Sequence, residues 1–241
     1  MPELRFRIGE VGAMPYAASP TIAARLHITN TIPNEPVQSV SLNCQVQLQP
    51  LGRSYTAMEE SRLLDLFGER ERWGQTMKPL HWTNVVLKIP PFTGETEIDL
   101  PLPCSLDFDV AANKYFYGLD AGSIAVTVMF SGTVFYSGEN GAVQIAQIPW
   151  DREARFQLQV SAWKAAIDAH YPETAWLRLP RDLFDRLYRY KVARGIPMWE
   201  GVLERLLDEA EHAEIAAKLP ETPLPEIALS AKAVVTDGGV Q

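Results

Sequence analysis

Gly122-Ser-Ile-Ala-Val-Thr-Val-Met-Phe-Ser-Gly-Thr-Val-Phe-Tyr136 is the densest run of β-branched and aromatic residues in the chain. Ile124, Val126, Val128 and Phe130 alternate with Ala125, Thr127 and Met129. That period predicts a strand in the middle of a sheet, covered on one face and partly on the other. Gly132 marks a bulge or bend from which Val134, Phe135 and Tyr136 continue in a new direction.

The same period recurs on both sides of this stretch. Leu4, Phe6 and Ile8 alternate with Arg5 and Arg7, and Ile22, Ala24, Leu26 and Ile28 alternate with Ala23, Arg25, His27 and Thr29, which turns His27 outward. Val40, Leu42, Cys44, Val46 and Leu48 interleave with Ser41, Asn43, Gln45 and Gln47, so one face meets a core and the other is polar but uncharged. Val85, Leu87 and Ile89 stop at Pro90-Pro91. Ile98, Leu100 and Leu102 follow, with Glu95, Glu97 and Asp99 as a solvated face. After Phe108 and Val110 comes a compact aromatic turn, Tyr115 to Gly118. Short strands through Val143, Ile145 and Ile148 lead to Phe156, Leu158 and Val160. Eight or nine strands without βαβ alternation predict a mainly β fold, an antiparallel β-sandwich over residues 1–160 with Val126, Val128, Phe130, Leu42, Cys44 and Val46 in its core.

Two segments depart from the β period. Thr56-Ala-Met-Glu59 has the form of a capping box and predicts a helix to about Phe67, with Gly68 as its stop. This helical excursion continues through Arg70, Arg72 and Trp73 to His81 and Trp82, combining indole with charge as interaction hot spots do. Those five residues are the candidate partner-binding set. From Ser161 the period becomes helical, giving a C-terminal unit over 161–218. Trp163, Ala166, Ile167 and Tyr171 share a face, then a short strand is expected over Trp176–Pro180, a helix from Arg181 to Ala193, and a second helix striped by Trp199, Val202, Leu203, Leu206, Leu207 and Ala210. Residues 219–241, rich in proline at the start and then without period, are expected to be a disordered tail.

A chain of 241 residues with 46% hydrophobic and 22% charged residues has the composition of a globular protein. Its formal net charge of −8 argues against a surface that attracts nucleic acid or anionic lipid as a whole. The amino terminus alternates apolar and charged residues, so it reads as a first strand, and a cytoplasmic setting is expected. Cys44 and Cys104 belong to no Cys-x-x-Cys pair and read as ordinary thiols. The chain contains no dinucleotide fingerprint, phosphate-binding loop, His-Glu-x-x-His helix or Gly-x-Ser-x-Gly elbow. His27, His81, His170 and His212 stand singly, and only His81 has neighbours that could use it. An enzyme, a cofactor and a metal site are therefore not expected.

Arg62-Leu-Leu-Asp-Leu-Phe-Gly-Glu-Arg-Glu-Arg-Trp-Gly74, Phe92 to Cys104, Lys114-Tyr-Phe116, Phe130 to Phe135 and Pro149-Trp-Asp151 together resemble an uncharacterised bacterial family known as a domain of unknown function. The resemblance runs from the first strand to about Leu207. Members of that family are often encoded near nickel-iron hydrogenase genes, which implies an accessory role beside a protein partner and carries over no catalytic residue. The expected function is a non-catalytic protein-binding module.

The alternative comes from the C-terminal unit, whose strand, helix, turn and helix resemble the ribbon-helix-helix fold of small bacterial repressors. Here the outward strand positions would be Trp176 and Arg178, and one arginine is a poor reader of base edges. That unit is expected to pack or self-associate and not to read DNA.

Overall fold

Strand pairing in the computed structural model, which describes residues 1–107, 110–138 and 141–218, gives two antiparallel sheets. One contains β1 (Leu4–Ala13), β2 (Thr21–Asn30) and β5 (Glu95–Pro103) in the order β1-β2-β5. The other runs β4 (Leu80–Ile89), β3 (Val37–Gln49), β6 (Ser123–Ser137) and β7 (Val143–Gln147), with β8 (Glu153–Gln159) also paired to β6. Every pairing among these strands is antiparallel.

The expected sandwich core is present. Leu42, Cys44, Val46, Val126, Val128 and Phe130 are all buried, and Phe6 stacks on Phe130 at 4.2 Å between ring centroids. β6 lies between β3 on one edge and β8 followed by β7 on the other, so it is the strand about which the larger sheet is built.

Gly132 does not break the register with β3, which runs unshifted from Ser39–Phe135 to Gln49–Ala125. It is required for a different reason. Its φ is 142°, and a Cβ placed there would lie 2.0 Å from the Ser41 carbonyl oxygen. On the opposite edge of β6 the partner changes at this point, since Phe130 donates its amide to Arg152 O and Gly132 accepts from the Ile148 amide.

The excursion after β3 consists of α1 (Ala57–Arg62), α2 (Leu64–Phe67), a 3-10 turn over Arg70–Arg72 and α3 (Trp73–Thr76). The capping box forms as expected: the Glu59 amide donates to Thr56 Oγ1 at 3.2 Å, and the Thr56 amide donates to the Glu59 carboxylate at 3.0 Å. Leu63 interrupts the expected single helix at φ −91°, ψ 0°.

Where a turn was expected, Tyr115–Gly118 forms the end of α4 (Ala111–Gly118), which packs against β4. Its Tyr115 and Phe116 are buried because a helix facing the sheet can hide two adjacent large rings that a surface turn would expose. Phe108 lies outside the described residues.

Helix α5 (Val160–Asp168) packs against β1, β2 and β8 and buries Trp163, Ala166 and Ile167 in the sandwich core. The first compact unit therefore extends from Met1 to Arg178, and a second begins at Leu179. No strand forms over Trp176–Pro180. The ribbon of a ribbon-helix-helix unit is thus missing from the single chain, since an isolated strand has no edge to pair with. The second unit contains α6 (Arg181–Ala193) and α7 (Trp199–Lys218). Residues 219–241, expected to be a tail, lie outside the described residues. Among the described residues no helix is long and apolar enough to cross a membrane.

Candidate interaction surface

Alternation along β4 separates two of the expected partner-binding residues. The ladder to β3 shifts between Thr83 and His81, and this bulge turns Trp82 into the core while His81 is exposed on the opposite face with Asn84 beside it at 3.4 Å. Trp82 is 7% exposed, donates its indole N–H to Pro103 O at 3.2 Å and meets Phe116 edge-on at 5.0 Å. Phe116 in turn stacks on Trp163 at 5.2 Å.

Trp73 is 8% exposed and donates to Gly68 O at 2.8 Å, with Tyr55 and Phe67 edge-on to it. The two indoles are therefore anchors that hold α3 and β4 to the body, and they are not available to a partner. Arg70 and Arg72 remain exposed. Arg70 lies 5.3 Å over the Trp73 ring and pairs with Glu60. The five residues do not form one surface.

Sequence reasoning missed a buried polar knot under the same excursion. Glu59 is 2% exposed, and its carboxylate accepts from the Thr56 amide, from the Asp120 amide at 2.9 Å and from Arg53 Nη2 at 2.6 Å. Arg53 also donates to Ser123 O and Ala121 O, which ties the excursion to the loop entering β6. Beside it, Tyr55 donates to Pro50 O at 2.7 Å, so the Tyr115 hydroxyl 2.7 Å away must donate to Tyr55. Burial first, and then this bond, push the Tyr115 phenol far up, so it stays protonated.

Burial alone would raise the Glu59 carboxyl, but the Thr56 and Asp120 amides and the Arg53 guanidinium outweigh it and hold it below the ordinary carboxylate range. With its acceptor capacity engaged in this way, Glu59 is a structural ion and a poor proton acceptor. Burial also pushes the Cys44 and Cys104 thiols up to about 12, so both are thiols at neutral pH.

A depressed folded pKa contributes stability above the unfolded value of about 4.3, and that contribution is lost as pH falls through the lower folded value. Glu59→Gln, which keeps the size but removes the charge facing Arg53, should cost about 2 kcal/mol at neutral pH. The gap to the wild type should close in acid. Urea melts over a pH series would measure this, and an unchanged gap down to pH values below the carboxylate range would contradict the assignment.

The edge strands differ in how they are protected. β1 carries Arg5, Arg7 and Glu10; β5 carries Glu95, Glu97, Asp99 and two prolines; β4 carries Lys88; and β8 carries Glu153 and Arg155. On the outer face of the smaller sheet Arg25 pairs with Asp99, and His27 Nδ1 lies 2.6 Å from the Glu97 carboxylate. Such charges and prolines discourage a foreign strand from pairing.

β7 has neither. Its sequence is Val-Gln-Ile-Ala-Gln, it pairs with β6 on one side, and Val143 and Ile145 are 58% and 62% exposed. The turn that follows presents Trp150 at 93% exposure. Beside the strand an open cleft of 730 Å³ is lined by Met1, residues 32–36, Tyr136 and Gln144 among others. The absence of charge within 143–147 was visible in the sequence, but its meaning depends on β7 being an edge, which only pairing reveals.

A profile of the family of unknown function DUF6084 matches residues 1–215. The chain belongs to that family. No curated protein matches it in sequence. Among solved structures, this family member is similar to a protein assigned as late embryogenesis abundant, at 12% identity and a TM-score of 0.30 over 66% of this chain and 71% of that one. It is similar also to a protein of Bordetella pertussis assigned as ApaA, at 17% identity and 0.25 over 65% and 93%. A third likeness, to a β-glucosidase of Kluyveromyces marxianus, has 13% identity and 0.24, and covers 65% of this chain but 15% of that enzyme. Overlaps this small carry neither fold nor activity across.

Proposed function

We propose that this family member is a non-catalytic protein-binding accessory module whose contact surface is the β7 edge together with Trp150. The observation that carries the reading is the contrast among the described edges: every other edge strand bears charge or proline, while β7 presents Val143 and Ile145 and has no charged side chain. An extended partner segment adding to β7 would gain main-chain hydrogen bonds from the strand and apolar contact from Ile145 and Trp150. The engagement of Glu59 in a structural knot supports the non-catalytic part of the reading. The resemblance to proteins encoded beside nickel-iron hydrogenase genes supports a partner among such enzymes or their maturation machinery. Two buried, unpaired thiols fit a reducing cytoplasmic setting.

Ile145→Lys places a charge on the exposed strand without opening the core, so the melting transition should move by no more than about 0.5 kcal/mol. Capture of the partner from host extract, followed by titration of the purified partner, should show at least about tenfold weaker binding. Undiminished affinity in a folded Ile145→Lys chain would remove β7 from the interface.

A further inference from the structure

The second unit presents more apolar surface than two helices can cover. Helices α6 and α7 pack against each other: Val202 is buried, Lys191 stands 5.7 Å over the Trp199 ring, and Tyr190 donates to Glu209 across the pair at 3.2 Å. A second stripe remains on each helix. On α6 it is Phe184, Tyr188 and Val192, the first 44% and the last 62% exposed; on α7 it is Leu203 and Leu207, 43% and 63% exposed. At about 100° per residue each stripe lies roughly a quarter turn past its helix's inward face. In an antiparallel hairpin that places both stripes on one side, and Trp199 bridges them, at 5.2 Å from Phe184 and 6.4 Å from Tyr188.

The two helices carry opposite charge. Over Arg181–Ala193 there are four basic and two acidic residues, and over Trp199–Lys218 six acidic and two basic. On the wheel, Arg189 borders the α6 stripe and Arg181 lies in line with it at the start of the helix, while Glu200, Glu204 and Glu211 border that of α7.

We propose that this face is covered by the same face of a second copy of the chain. A twofold axis parallel to the helices sets α6 of each copy antiparallel to α7 of the other, closing a four-helix bundle in which basic borders acidic along both contacts. The alternative of α6 on α6 would set basic on basic. The apolar stripes supply the association, and the charges select this arrangement. The inference is independent of the β7 reading, since it uses a different unit and a different partner.

Light scattering on the full chain at micromolar concentration should give twice the chain mass of 26.9 kDa. L203E combined with L207E should return a folded monomer. Arg181→Glu with Arg189→Glu in one chain, and Glu200→Lys with Glu204→Lys in another, should each weaken the dimer, and mixing the two should restore it as a heterodimer. A monomeric wild type would overturn the proposal. A dimer that survives L203E with L207E would also overturn it, by moving the interface to another surface such as β7. Failure of the charge-reversed chains to recover on mixing would overturn the α6-on-α7 arrangement.

Discussion

Gly132→Ala should lower the stability of the first unit by about 3 kcal/mol or more, which in a body of this size moves the melting temperature by roughly 10 °C. Two costs add. The backbone at φ 142° lies in a region that residues with a side chain rarely enter, and the added methyl would stand 2.0 Å from the Ser41 carbonyl oxygen. That oxygen belongs to central strand β3, so relief requires separating β3 from β6 and not the swing of a flexible side chain. Gly12→Ala, with no atom within 4 Å of the new methyl, is the matched control and should move stability by no more than about 0.5 kcal/mol. Equal effects from the two substitutions in a thermal or urea melt would contradict the close approach.

Trp82→Ala should cost about 4 kcal/mol, because it empties a site between β4, α4 and α5 and leaves Pro103 O without its indole donor. Trp73→Ala should behave alike, since Tyr55, Phe67 and Gly68 O lose their common neighbour. Arg72→Ala, at an exposed position, should change stability by no more than about 0.5 kcal/mol. Denaturant titration separates anchor from interface: if Trp73→Ala and Trp82→Ala chains melt like the wild type and fail only in partner capture, the indoles are contacts after all.

The parts of the fold legible in the sequence are those where one period dominates. Val40 to Leu48 and Ile124 to Phe130 alternate cleanly, and both lie where alternation puts them, in the core of the larger sheet. Thr56 and Glu59 announce a helix start through a bond pattern that is local by nature, and that pattern forms. Adjacency in sequence is not adjacency on a surface. His81 and Trp82 are neighbours in the chain but face opposite sides of β4. Tyr115 and Phe116 read as a turn because Gly118 follows them, whereas burial against β4 and the excursion favours a helix; its N-cap, Val110, offers no side-chain bond. The β7 surface was illegible for a further reason. Val143 and Ile145 look like any short strand until pairing shows that β6 lies on one side of them alone among the described strands.

Hydrogen exchange of the full chain, free and in complex with the partner captured from host extract, tests the proposed function most directly. Among the described residues, amides of Val143–Gln147 that face away from β6 have no strand to donate to, and they acquire acceptors if a partner adds there. Strong new protection at residues 143–147, with the Trp150 turn slowed beside it, is the predicted result. Protection confined to Arg53–Trp82, with β7 exchanging as in the free chain, would contradict it.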